Sequence, residues 1–156
     1  MRRSHLALLP VLAVLVACAA PASPDDAAFS STSGLYWQRC AIGSEWDGDA
    51  CTGAPEALTW SEAVEACEAR GPGWRLPTLD EVGMLLGDCS APGEAARCAP
   101  CELSGECSTV LADGTDLEWT ADPVGEDALL VDLGTGVVAY EDVARPLSAR
   151  CVTDVR

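Results

Sequence analysis

From Leu6 to Ala17 the chain is apolar, broken only by Pro10, and Met1-Arg2-Arg3 places positive charge ahead of the run. Such a stretch is too short to cross a hydrocarbon core, which takes about 20 residues, so residues 1–17 read as a signal peptide. Residues 18–33 are small, polar and proline-containing with no apolar period, the composition of a flexible tether. Gly34–Cys40 is aromatic-rich and reads as a first strand; Ala41–Cys51, punctuated by Gly and Asp, reads as a hairpin. The spacing then becomes helical. Thr59 with Glu62 forms a capping box and opens a helix with Ala63, Val64 and Cys67 on one face, ended by Gly71-Pro72. Thr78 with Glu81 repeats the device, placing Val82, Leu85 and Leu86 inward with Gly87 as the stop. Between them, Pro77 holds Leu76 extended. Asp88–Gly114 has little periodicity and reads as a long loop that disulfides must order. Leu117–Thr120, Ala128–Leu133 and Val137–Tyr140 read as strands, the last two joined by a turn at Gly134-Thr135-Gly136, and Ala149–Val152 closes the sheet. This order predicts one α+β domain over residues 34–153, two helices with an antiparallel sheet.

Charge narrows the function. The chain carries 9 Lys+Arg, all of them Arg, against 25 Asp+Glu, a net charge of −16. Without lysine there is no Schiff-base or phosphate-gripping ammonium, and a polyanion such as nucleic acid is repelled. The lone histidine, His5, lies in the leader, so histidine-based triads and metal sites leave with it. The leader ends Leu15-Val16-Ala17-Cys18, which resembles the lipobox of bacterial lipoproteins and marks Cys18 for lipidation. The expected partner of the amino end is therefore a membrane, reached through a lipid anchor. Ala19 is not the Asp that in some bacteria favours inner-membrane retention, which points to the outer membrane.

Eight further cysteines remain: Cys40, Cys51, Cys67, Cys89, Cys98, Cys101, Cys107 and Cys151. In an oxidising compartment they are expected as disulfides, and a Cys40–Cys51 bond would close the first hairpin. A zinc site on Cys89, Cys98, Cys101 and Cys107 is the competing reading, opposed by export and irregular spacing. A redox role for Cys98-Ala99-Pro100-Cys101 lacks the flanking strand and helix it needs. No cofactor or metal is expected.

Several blocks carry a family likeness: Leu35–Cys40, Trp46–Gly53, Thr59–Ala63, Gly73-Trp74-Arg75-Leu76-Pro77-Thr78 with Glu81, Trp119-Thr120, and Ala149–Val152. Together they resemble the Lcl C-terminal domain family, named for part of a bacterial collagen-like adhesin, over about residues 34–153. The resemblance implies a C-type lectin-like fold, in which a cysteine of the first helix bonds one on the last strand; Cys67 and Cys151 stand in those positions. The Cys89–Cys107 cluster departs from the common pattern. The calcium-holding tripeptides of sugar-binding C-type lectins are absent; Glu118-Trp119-Thr120-Ala121-Asp122 is the nearest echo and lacks the acid directly after Trp119, so calcium-dependent monosaccharide binding of that kind is not expected. A fold likeness implies no activity by itself.

The function expected from these signals is a non-enzymatic binding module of the cell envelope, taking a protein or glycan ligand on the loop from Cys89 to Asp116. Trp46, Asp113 and Asp116 are the candidate ligand contacts. Most of Trp37, Trp46, Trp60, Trp74 and Trp119 are expected in the core, with Trp46 on the acidic hairpin the best placed to be exposed. Glu45, Asp47, Asp49 and Glu56 echo a calcium loop but have Ala50 where glycine is needed. Asp113 with Asp116, or Glu118 with Asp122, would serve a carboxylate-dependent hydrolase, the rival function. A structural envelope protein without a soluble ligand is the third. Arg75, between Trp74 and Leu76, is expected partly buried in an ion pair.

Overall fold

The computed structural model describes residues 26–87, 98–114 and 116–155. The signal peptide, Cys18, the first part of the tether and Cys89 lie outside the described residues. Among the described residues, three small antiparallel sheets and three helices make an α+β domain. The first sheet has the order β1-β2-β8, from Ala27–Phe29, Tyr36–Gln38 and Val152–Thr153; β3 (Glu45–Trp46) and β4 (Cys51–Thr52) form a hairpin. The third sheet, β5-β6-β7, joins Leu117–Val124, Asp127–Asp132 and Val138–Asp142. The single sheet expected from the sequence is thus split into pieces, with further isolated bridges at Leu58–Leu147, Arg75–Val152 and Glu118–Ser148.

The tether expected over residues 18–33 needs correction from Asp26 onward. Ala27–Phe29 pairs with β2, and Ser30 is fully buried with its N–H on Leu35 O at 2.8 Å. The strand is short, with Ala28 in the core and Phe29 against Tyr36, so no apolar period marks it and composition alone hides it.

Both helices start where their capping boxes place them. The α1 helix spans Trp60–Glu68 behind Thr59, and α2 spans Leu79–Leu86 behind Thr78. At each start the glutamate N–H donates to the threonine hydroxyl and the glutamate carboxylate accepts the threonine N–H. Within the expected loop, a 3-10 turn at Cys101–Leu103 and the one-turn helix α3 at Cys107–Val110 add local order.

Strand β6 divides the core. Its alternate side chains point to opposite faces, so Val131 joins Trp37, Val82, Leu85, Leu86 and Val152, while Ala128 and Leu130 join Ala63, Cys67, Leu76, Trp119 and Cys151. That two-sided burial is why its sequence reads as a continuous apolar run. Trp37 and Trp119 are fully buried, and their indole N–H groups donate to Ser33 Oγ and Leu58 O, each at 2.9 Å. Trp60 and Trp74 pack half-buried on the second cluster.

Disulfides join Cys40 to Cys51, Cys67 to Cys151 and Cys101 to Cys107; Cys98 is disulfide-bonded as well. The Cys67–Cys151 bond ties α1 to the residue before β8, as the family likeness implies. Bonding of Cys98, Cys101 and Cys107 removes the zinc reading for that cluster, because thiolates and not disulfide sulfurs hold zinc.

Candidate functional site

The Cys40–Cys51 disulfide pins the short hairpin β3-β4, where Trp46 pairs with Cys51 across the ladder. Asp47 shapes its tip: its Oδ1 accepts the N–H groups of Asp49 and Ala50, each at 2.9 Å. Those two backbone bonds, Ala50's first, hold the Asp47 carboxyl below its ordinary pKa. The carboxylate expected to echo a calcium loop thus closes its own turn. Trp46 is left half-exposed at the rim of a cleft of about 430 Å³. Asp26, Gln38, Ile42, Ser44, Glu45 and Arg70 line the same space.

The cleft's walls come from distant parts of the sequence. Asp26 enters from just before β1, Gln38 from β2, and Arg70 from the residues after α1. Arg70 donates to Asp26 Oδ2 at 2.5 Å and stacks 4.6 Å above the Trp74 ring centroid. Arg39 stacks in turn over Trp46, its guanidinium carbon 5.0 Å from the centroid. Asp26 Oδ1 and Arg70 Nε are buried without a hydrogen-bond partner among the described residues. The result is an aromatic edge beside an adjacent acceptor and donor.

Below this cleft lies a buried polar hub. Arg150, 1% exposed, donates from Nε to both oxygens of Glu118 at 3.1 and 2.9 Å. Its Nη1 donates to the carbonyls of Gln38 and Arg39 at 3.1 and 2.7 Å, and its Nη2 to Asp113 and Glu118 at 2.6 and 2.7 Å. Desolvation opposes the charge on Arg150, but attraction to Glu118 and Asp113 outweighs it and raises the guanidinium pKa. Burial pushes the Glu118 carboxyl up against the pull of Arg150. Gln38 extends the hub, its side-chain carbonyl accepting the Cys151 N–H at 3.2 Å.

The expected ligand contacts do not converge. Asp113 is committed inward, one oxygen to Arg150 and the other accepting the Ala41 N–H at 3.0 Å. Asp116 lines a different, shallow hollow with Asp132, Pro146 and Ser148. Trp46 alone of the three borders the cleft. The rival carboxylate pair Glu118 and Asp122 is also divided, since Asp122 accepts the Leu79 N–H at the start of α2, at 2.7 Å. Among the described residues the one metal-like grouping, Cys40, Cys51 and Asp113, has its two sulfurs joined in a disulfide. Arg75 forms its ion pair as expected, bidentate to Glu81 at 2.5 and 2.7 Å, but at 44% side-chain exposure; the buried arginine is Arg150.

Sequence reasoning missed Arg150, Asp26, Arg70 and Gln38. A signal for the first existed: an arginine between Ala149 and Cys151, in a segment otherwise apolar, has no solvent face to occupy and must find buried partners. No curated protein matches the chain. The model of the Lcl C-terminal domain matches residues 29–153, a span that takes in most of the chain and all of β2 through β8, and the chain belongs to that family.

Proposed function

We propose that the protein is a cell-envelope lipoprotein, anchored through Cys18 at the outer membrane, whose C-type lectin-like domain binds a protein or glycan ligand without catalysis. The observation that carries this reading is the half-exposed Trp46, presented on a disulfide-pinned hairpin at the rim of a cleft with polar walls. Aromatic surface that folding leaves uncovered beside hydrogen-bonding groups is the usual make-up of a recognition site. The disulfide from α1 to the residue just before the last strand, Cys67 to Cys151, supports the lectin-like fold. Asp113, Glu118 and Asp122, which a carboxylate hydrolase would use, are engaged by Arg150 and by the start of α2, and this favours binding over hydrolysis. The lipobox supports the anchor.

The test is glycan-array and pull-down screening of the purified, oxidised protein. A saturable ligand that is lost on reduction of the disulfides supports the reading, and turnover of a glycoside or peptide by the same preparation would overturn it.

A further inference from the structure

Resting on the reading of the protein as a binding module, we infer that the cleft bordered by Trp46, Asp26 and Arg70 is a subsite for an uncharged pyranose sugar carrying vicinal hydroxyls. Its aromatic component comes first. One ring, Trp46, borders the cleft, held in place by Arg39 stacked on it and by the Cys40–Cys51 bond behind the hairpin. The apolar C–H face of a pyranose packs on such a ring, and a ring already immobilised loses little freedom when it binds.

The polar component is matched to a diol. Asp26 and Arg70 stand 2.5 Å apart, and their side chains keep 27% and 18% of their exposure. They offer a carboxylate acceptor directly beside a guanidinium donor, and neighbouring sugar hydroxyls supply the reciprocal donor and acceptor. Because Asp26 Oδ1 and Arg70 Nε are buried, the residual exposure of the pair lies on its other polar atoms, which are the ones a sugar can reach. Ser44 and Gln38 add neutral polar groups to the wall.

Charge selects among sugars. Asp26 and Glu45 line the cleft of a chain whose net charge is −16, which opposes sulfated, phosphorylated or carboxylated sugars. The Asp26–Arg70 pair is already self-neutralised, so what it offers a ligand is a hydrogen-bonding acceptor and donor matched to neutral hydroxyls.

The experiment titrates the oxidised full-length protein by calorimetry with chitotriose, maltotriose and mannotriose, with a heparin tetrasaccharide as the anionic comparator. At least one neutral trisaccharide is expected to bind and heparin is not. Trp46→Ala should weaken that binding about tenfold or more, Trp46→Phe should restore most of it, and Tyr140→Ala, an exposed aromatic on β7, should leave it unchanged. Disulfide mapping of each variant reports its folding, and Trp46→Phe keeps the test alive if Trp46→Ala fails to fold. Equal affinity in Trp46→Ala and the parent would place the sugar elsewhere and overturn the subsite while leaving the binding module intact. Binding of heparin or a protein with no neutral sugar bound would overturn the sugar class alone. No ligand of any kind, in the array, the pull-down or the titration, would remove both.

Discussion

Arg150 shows what one residue does for this molecule. Its guanidinium joins the end of β2, the loop carrying Asp113 and the strand carrying Glu118, with no access to water. Removing it leaves Glu118 buried without its counter-charge, so Arg150→Ala should destabilise the fold by about 3–5 kcal/mol in guanidinium denaturation. Arg150→Lys should recover only part, because an ammonium lacks the planar fork that reaches both carboxylates and both carbonyls. Gly136 is a second such position. It has φ +72°, and a Cβ there would lie 2.0 Å from Cys98 O, where the Cys98 N–H also meets Gly136 O at 2.7 Å. Gly136→Ala is therefore expected to lose about 1–3 kcal/mol, read as a lower melting temperature, and to loosen the docking of the disulfide-rich loop on the β6–β7 turn.

At the level of elements, the parts that local chemistry specifies were the legible ones. Each capping box sets its own helix start within four residues, and the apolar faces of α1 and α2 follow from their spacing; nothing distant is needed to read them. Strand β1 was not legible, since its evidence is pairing with β2 and the Asp26–Arg70 contact, both invisible to a local window. The candidate cleft shares that difficulty: Trp46 could be singled out as an exposed aromatic, whereas the walls given by Asp26, Gln38 and Arg70 are neighbours only in space. Start sites also predict a response to acid. Burial opposes ionisation of Glu81, but hydrogen bonds from Arg75 and from the Thr78 N–H outweigh it and hold the carboxyl below its ordinary pKa. A depressed folded pKa contributes stability that is present above the unfolded value of about 4.3 and disappears as pH falls through the folded value. Protection factors across α2, taken relative to the intrinsic exchange rate at each pH, should therefore fall as pH drops below about 4.3, and Glu81→Gln should flatten that dependence while lowering protection at neutral pH.

For the molecule as a whole, crosslinks matter more than in a protein with one large core. The Cys67–Cys151 bond closes a loop with a sequence separation of 84, and the chain-entropy argument gives its loss a cost of about 4–5 kcal/mol; the Cys40–Cys51 bond, with a separation of 11, gives about 3 kcal/mol. Denaturation of the Cys67→Ala/Cys151→Ala double variant should show the larger drop. Fractionation checks the anchor: Cys18→Ser should move the protein from the membrane pellet to the soluble fraction. The same long crosslink has a mechanical corollary. Tension applied between the two ends of the oxidised chain passes from α1 to β8 through sulfur and bypasses the segment between, so in a stretching experiment that segment, with the β5-β6-β7 sheet inside it, should add no contour length until a reductant is supplied.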